Sequence, residues 1–110
     1  MQVDEKVLTE QTFDETLATT DGLLLVDFWA PWCGPCRAVA PVLEALTGES
    51  HGRVALAKVN VDEQPRLAAR FEILSIPTIL FVKDGRIVER VVGALPKAAL
   101  QAKIQSALAA

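Results

Sequence analysis

The chain has 110 residues, of which 51% are hydrophobic and 23% charged, with a formal net charge of −3. That is material for one hydrophobic core and not two, so residues 1–110 are read as a single domain. Scattered lysines and arginines in an acidic chain exclude the concentrated basic face that nucleic acid requires, and no apolar run is long enough to cross a bilayer.

Residues 1–20 are polar and acidic, without the basic start and apolar stretch of a secretory signal, which places a chain beginning here in the cytoplasm. Residues 2–7 read as a short edge strand. Thr12, with Glu15 three residues on, has the spacing of a capping box, and Phe13 and Leu17 then share one face of a first helix. Residues 23–29 (LLLVDFW) are nearly all apolar, as in a strand covered on both faces. A second helix starts near Cys33 or Gly34. In it Val39, Val42, Leu43 and Leu46 follow helical spacing, and Gly48 is the expected stop. Pro41 falls inside that pattern, so a kink is expected there. Residues 53–59 form another strand, 64–71 a short helix and 78–82 a strand. Asp84-Gly85 is a hairpin turn into a strand over 87–92. Pro96 opens a last helix reaching about residue 108. The order β-α-β-α-β-α-β-β-α implies a parallel βαβ unit with an antiparallel pair added. The fold class is α/β, a mixed central sheet with helices on both faces.

Both cysteines and both tryptophans lie in WAPWCGPCRAVAP, residues 29–41. Cys33 falls just past a buried strand, at the first turn of a helix. Unsatisfied N–H groups and the positive end of the helix dipole favour a thiolate there, and the thiolate is the reactive species. Cys36 lies one turn further in, within reach of Cys33. Gly34 and Pro35 make the tight entry possible. A bridge between Cys33 and Cys36 closes so short a loop that its purpose is chemical rather than structural. Half of a zinc site has the same spacing, but zinc takes four ligands. No third cysteine exists, and the single histidine, His51, sits in a Gly-rich loop; no metal is expected. Incidental core cysteines are a further reading, against which stand the Gly-Pro pair and the helix-start placement. A redox pair fits all of these features.

Three other residues interrupt their surroundings. Asp27 breaks an apolar strand, either as an exposed strand-end carboxylate or as a buried group needing a partner. Lys58, between Ala57 and Val59, reads by itself as a solvated strand residue. Pro77, opening an apolar strand, is ordinarily an edge feature or a kink where a strand begins.

WCGPC after a buried strand resembles the thioredoxin family. The resemblance continues in order and spacing through VDFWAPWCGPC, Pro41, AKVNVDEQP (57–65), SIPTILFVKDG (75–85) and VGALPK (92–97). It implies the thioredoxin fold with a five-stranded mixed sheet. It also implies a thiol–disulfide oxidoreductase that reduces disulfides in other proteins through a mixed disulfide. No bound cofactor is implied beyond the Cys33–Cys36 disulfide itself. By the resemblance NADPH would be used only indirectly, through a thioredoxin reductase, and a monomer is expected. By the same resemblance Asp27 lies buried beneath the cysteines. Burial there would raise its pKa and suit it to exchange a proton with the second thiol, and Lys58 would approach it. The Ile76–Pro77 bond would be cis, leaving the Ile76 backbone open to strand-like pairing with an extended substrate. Trp32, Gly34, Pro35, Ile76, Pro77, Gly93 and Ala94 would form the substrate platform around Cys33, with Trp29 and Pro41 as structural support.

The chain departs from the commonest family pattern at Arg37, where lysine is frequent, and at Leu74 and Ser75, which bear on which partners dock. Glu72 has no assigned role. Two rival readings stand: a disulfide oxidase or isomerase on the same fold, and a non-catalytic binding subunit. Gly-Pro between the cysteines resembles the reducing members.

Overall fold

A strand as apolar as LLLVDFW needs cover on both faces, and the computed structural model, which describes residues 5–110, provides it. The elements are β1 (Glu5–Val7), α1 (Phe13–Thr19), β2 (Leu23–Trp29), α2 (Gly34–Gly48), β3 (Val54–Asn60), α3 (Pro65–Arg70), β4 (Thr78–Lys83), β5 (Arg86–Val92) and α4 (Lys97–Ala109). They build one sheet in the spatial order β1-β3-β2-β4-β5. β1, β3 and β2 are parallel, while β4 and β5 are antiparallel to their neighbours. The mixed five-stranded sheet and the alternating order are as the sequence reading expects.

Period-two alternation along the strands divides the core. Leu23 and Leu25 of β2, Val54 and Leu56 of β3, and Ile79 and Phe81 of β4 meet Val39, Leu43 and Leu46 of α2 and Leu100 and Ile104 of α4. On the other face Leu24, Val26 and Phe28 join Val59, Leu80 and Val82 under Phe13 and Leu17 of α1 and Leu67 of α3. Full burial of each such side chain stabilises the fold by about 1.5–3 kcal/mol, so β2, buried on both sides, is the anchor of the molecule. The next residue on the α2-covered face after Leu25 is Asp27, which the register pairs with Lys58 on one side and Ile79 on the other.

Element ends differ from the sequence reading in identifiable ways. The expected capping box is not made: Thr12 has helical dihedrals (φ −105°, ψ −12°) and no side-chain cap bond. Its hydroxyl instead accepts the N–H of Thr9 at 3.0 Å. α2 ends at Gly48, the expected stop, and the chain turns beyond it through the left-handed His51 and Gly52 (φ 55° and 84°). α2 runs through Pro41 in one piece. Arg53 precedes β3 rather than opening it, α3 is shorter at both ends than residues 64–71, and Pro96 is the N-cap of α4 instead of its first helical residue. The Asp84-Gly85 hairpin forms with both residues at positive φ (53° and 77°), the geometry that suits the twist of paired strands. Positions 2–4 of the expected first strand lie outside the described residues.

Candidate functional site

β2, the central strand, delivers the chain to one end of the sheet, and four residues separate it from α2. Cys33 is the N-cap of α2, in extended conformation, and the backbone N–H of Cys36 donates to its Sγ at 3.1 Å. The two cysteines form a disulfide with Cα atoms 5.2 Å apart, within the ordinary span of such bridges. Cys33 is 4% and Cys36 3% exposed, packed with Ala30 and flanked by Trp29, Val61 and Ile76. Gly34 and Pro35 occupy the first turn of α2 and are exposed; proline loses no hydrogen bond there, because those N–H groups have no intrahelical partner.

A second chain segment closes on the sulfurs. The Ile76–Pro77 peptide is cis, and the Ile76 carbonyl oxygen lies 3.7 Å from Cys33 Sγ. In the disulfide this is a contact; a reduced Cys33 has an S–H to donate to it. Pro77 is buried, and its carbonyl accepts the N–H of Gly93 at 2.8 Å. Gly93 has φ 99°, a conformation that suits glycine, and exposed Ala94 follows it. Cys33, Ile76, Pro77 and Gly93 therefore form one continuous contact chain.

The tryptophans differ sharply. Trp32 is 68% exposed, yet its Nε1–H donates to Asp62 Oδ2 at 2.9 Å. Asp62 is itself fixed by Asn60, whose side-chain oxygen accepts the Asp62 N–H at 2.9 Å. Arg37 braces the same loop, donating to the Pro31 carbonyl at 2.7 Å. Trp29 is half-buried, and Lys58 Nζ stands 4.9 Å above its ring, a cation–π distance. Asp27 is fully buried (0% exposed) beside Lys58 in the register. Pro41 is exposed on α2, outside the dithiol cluster. Asp62 and Asn60 lie within AKVNVDEQP but were not singled out from the sequence. An asparagine two residues before an aspartate at a strand end is a turn signal, and it would have pointed to them.

Among the described residues no group of three or more His, Cys, Asp or Glu side chains is placed to hold a metal ion. No described helix is long and apolar enough to cross a membrane. The thioredoxin family model matches residues 4–106.

The chain belongs to the thioredoxin family.

It is 47% identical over 96 residues to thioredoxin 2 of Chlorobaculum tepidum, an alignment covering 87% of this chain and 88% of that protein. Thioredoxin of Bacillus subtilis is 48% identical over 93 residues, covering 84% and 88%. Thioredoxin of Staphylococcus haemolyticus is 51% identical over 90 residues, covering 82% and 85%. Cys33 and Cys36 thus form the redox group of a thioredoxin-type thiol–disulfide oxidoreductase, a protein-disulfide reductase that uses its own dithiol and no bound cofactor. Thioredoxins as a family work with a thioredoxin reductase and with disulfide-bearing proteins.

Proposed function

We propose that this chain, acting as one domain and as a monomer in the cytoplasm, carries electrons from a thioredoxin reductase to disulfides in other proteins, with NADPH as the source of those electrons. The observation that carries the proposal is Cys33 at the N-cap of α2, its sulfur accepting the Cys36 N–H and standing against the Ile76 carbonyl. In the dithiol state the Cys33 thiolate attacks one sulfur of a substrate disulfide. That bond breaks, the departing thiolate takes up a proton, and Cys33 is left in a mixed disulfide. Cys36 then gives up its proton and attacks Cys33 Sγ, releasing the second substrate sulfur. Two electrons pass to the substrate, and Cys33–Cys36 is oxidised.

Asp27 is the proposed acceptor of the Cys36 proton. It lies on the sheet face that α2 covers, and Cys36 sits in the first turn of α2. Lys58 is its neighbour across β2 and β3. Trp32, Gly34, Pro35, Ile76, Pro77, Gly93 and Ala94 form the proposed docking surface, with Trp29 packing beneath it. Pro41 shapes α2 rather than touching substrate.

Insulin reduction by dithiothreitol tests the mechanism. Cys33→Ser is expected to abolish turnover, and Cys36→Ser to halt at a trapped mixed disulfide; turnover by Cys33→Ser would overturn the mechanism. Equilibration against glutathione tests the direction. A reduction potential near about −270 mV supports a reductase, whereas one near about −120 mV points to disulfide formation.

A further inference from the structure

The segment between α3 and β4 carries the Ile76 carbonyl to Cys33 without belonging to any strand. Past the end of a helix, backbone carbonyls lack intrahelical donors and must find others. Here Arg90 of β5 reaches across and supplies two: its Nη1 donates to the Phe71 carbonyl at 2.7 Å and its Nη2 to the Glu72 carbonyl at 2.9 Å. Glu72 is left-handed (φ 53°), so the chain reverses at the point the guanidinium grips. The far end of the segment is held by the Gly93 N–H on the Pro77 carbonyl and by the Thr78 hydroxyl on the Ser75 carbonyl at 2.6 Å. Arg90 and Gly93 belong to the same stretch of chain, so β5 and its end grip the segment at both ends. Between the grips Leu74 stands 95% exposed, and Ile73, Leu74 and Arg90 share the wall of a shallow groove of about 480 Å³.

We infer that Arg90 is a positioning residue for protein substrates: its planar fork holds residues 71–76 in the conformation that presents the Ile76 backbone beside Cys33. The inference rests on the proposed docking surface. Two parallel N–H groups on consecutive carbonyls fix both position and orientation, which a lysine ammonium, a point charge, does not. A protein disulfide must pair with this segment as its sulfur reaches Cys33. A small disulfide needs chiefly the sulfurs.

The test is steady-state reduction of insulin and of a small aryl disulfide, dithiobis(nitrobenzoate), by full-length Arg90→Ala. The ratio of kcat/KM on insulin to that on the small disulfide is expected to fall about five- to tenfold, with the loss in the insulin KM rather than in kcat. Arg90→Lys is expected to stay closer to Arg90→Ala than to the parent. An unchanged ratio, whether both activities persist or both decline together through a loosened fold, overturns the inference. Full recovery by Arg90→Lys also overturns it, since charge alone would then suffice. Failure of Arg90→Ala to shift the ratio leaves the dithiol mechanism standing. Turnover of the small disulfide by Cys33→Ser removes that mechanism and this inference together.

Discussion

At Asp27 the face of β2 that begins with Leu23 and Leu25 continues with a carboxyl, fully buried where α2 packs on the sheet. Such a group is retained at a cost in solvation, and the use proposed for it is to take a proton from the resolving thiol. Asp27→Asn keeps the shape and removes the acid–base function. Attack by Cys33 is expected to persist, while breakdown of the mixed disulfide slows about 100-fold, the low end for general acid–base catalysis. Rapid-mixing measurement of substrate release checks this, and an unchanged release rate would remove Asp27 from the mechanism. A second carboxylate acts on the surface. Both terminal nitrogens of Arg70 donate to Asp14, at 2.8 and 3.0 Å, while the guanidinium stacks 4.9 Å from the Phe71 ring. Hydrogen bonding by Arg70, aided by its charge, holds the Asp14 carboxyl below its ordinary value of 3.8. A pKa depressed in the folded state contributes stability that is fully present above the ordinary value and lost as pH falls through the folded one. Asp14→Asn is therefore expected to lower Tm slightly at neutral pH, because the pair is exposed. The gap to the parent should close below pH 3.8. A gap that persists in acid would show that the ion pair is not its cause.

Among the elements, α4 has its last turn held by a distant lysine. Leu100, Ile104 and Ala107 bury one face, and at its last turn Lys83 Nζ donates to the carbonyls of Ala107 and Leu108 at 3.0 and 3.2 Å, and to that of Ala110. A positive charge on orphan C-terminal carbonyls satisfies them and opposes the helix dipole. Lys83→Met keeps the bulk and removes the donors. The expected loss is about 1–2 kcal/mol in urea unfolding, with faster amide exchange confined to the final turn of α4. An unchanged midpoint would mean the contacts add nothing. In the sequence reading Lys83 falls just past the strand over 78–82, and nothing local marks its role. Its partners lie 24 residues or more along the chain, and spacing rules see only near neighbours. The same limit hid Arg90 and Asp62, which act across 18 and 30 residues. Local errors have another origin. Thr12 and Glu15 are the right types at the right spacing for a capping box, but capping depends on dihedrals, and Thr12 is already helical.

Across the molecule, the sheet order places β2 between partners that arrive later in the chain, β3 in parallel and β4 in antiparallel register. The parallel βαβ unit and the antiparallel pair were readable, because alternating elements and the Asp-Gly hairpin are local signals, but that β4 is the second neighbour of β2 was not. The dithiol was readable too, since helix-start chemistry and a two-residue spacing are both local. What geometry adds is the enclosure of the disulfide within the native packing of Ala30, Trp29, Val61 and Ile76. Bridging residues three apart barely restricts an unfolded chain, so the free energy of closing the bridge differs between folded and unfolded protein mainly through what the native site contributes. The two redox states and two conformations form a thermodynamic square. The difference in unfolding free energy between oxidised and reduced protein must equal the native site's bias toward the disulfide, with about 1.4 kcal/mol corresponding to about 30 mV. A good electron donor is one whose fold prefers the bridge closed, so the oxidised protein is expected to resist denaturant further than the reduced one. The reverse order would make this fold an oxidant. Two unfolding curves, recorded with and without a reductant, therefore report which way the site pushes electrons.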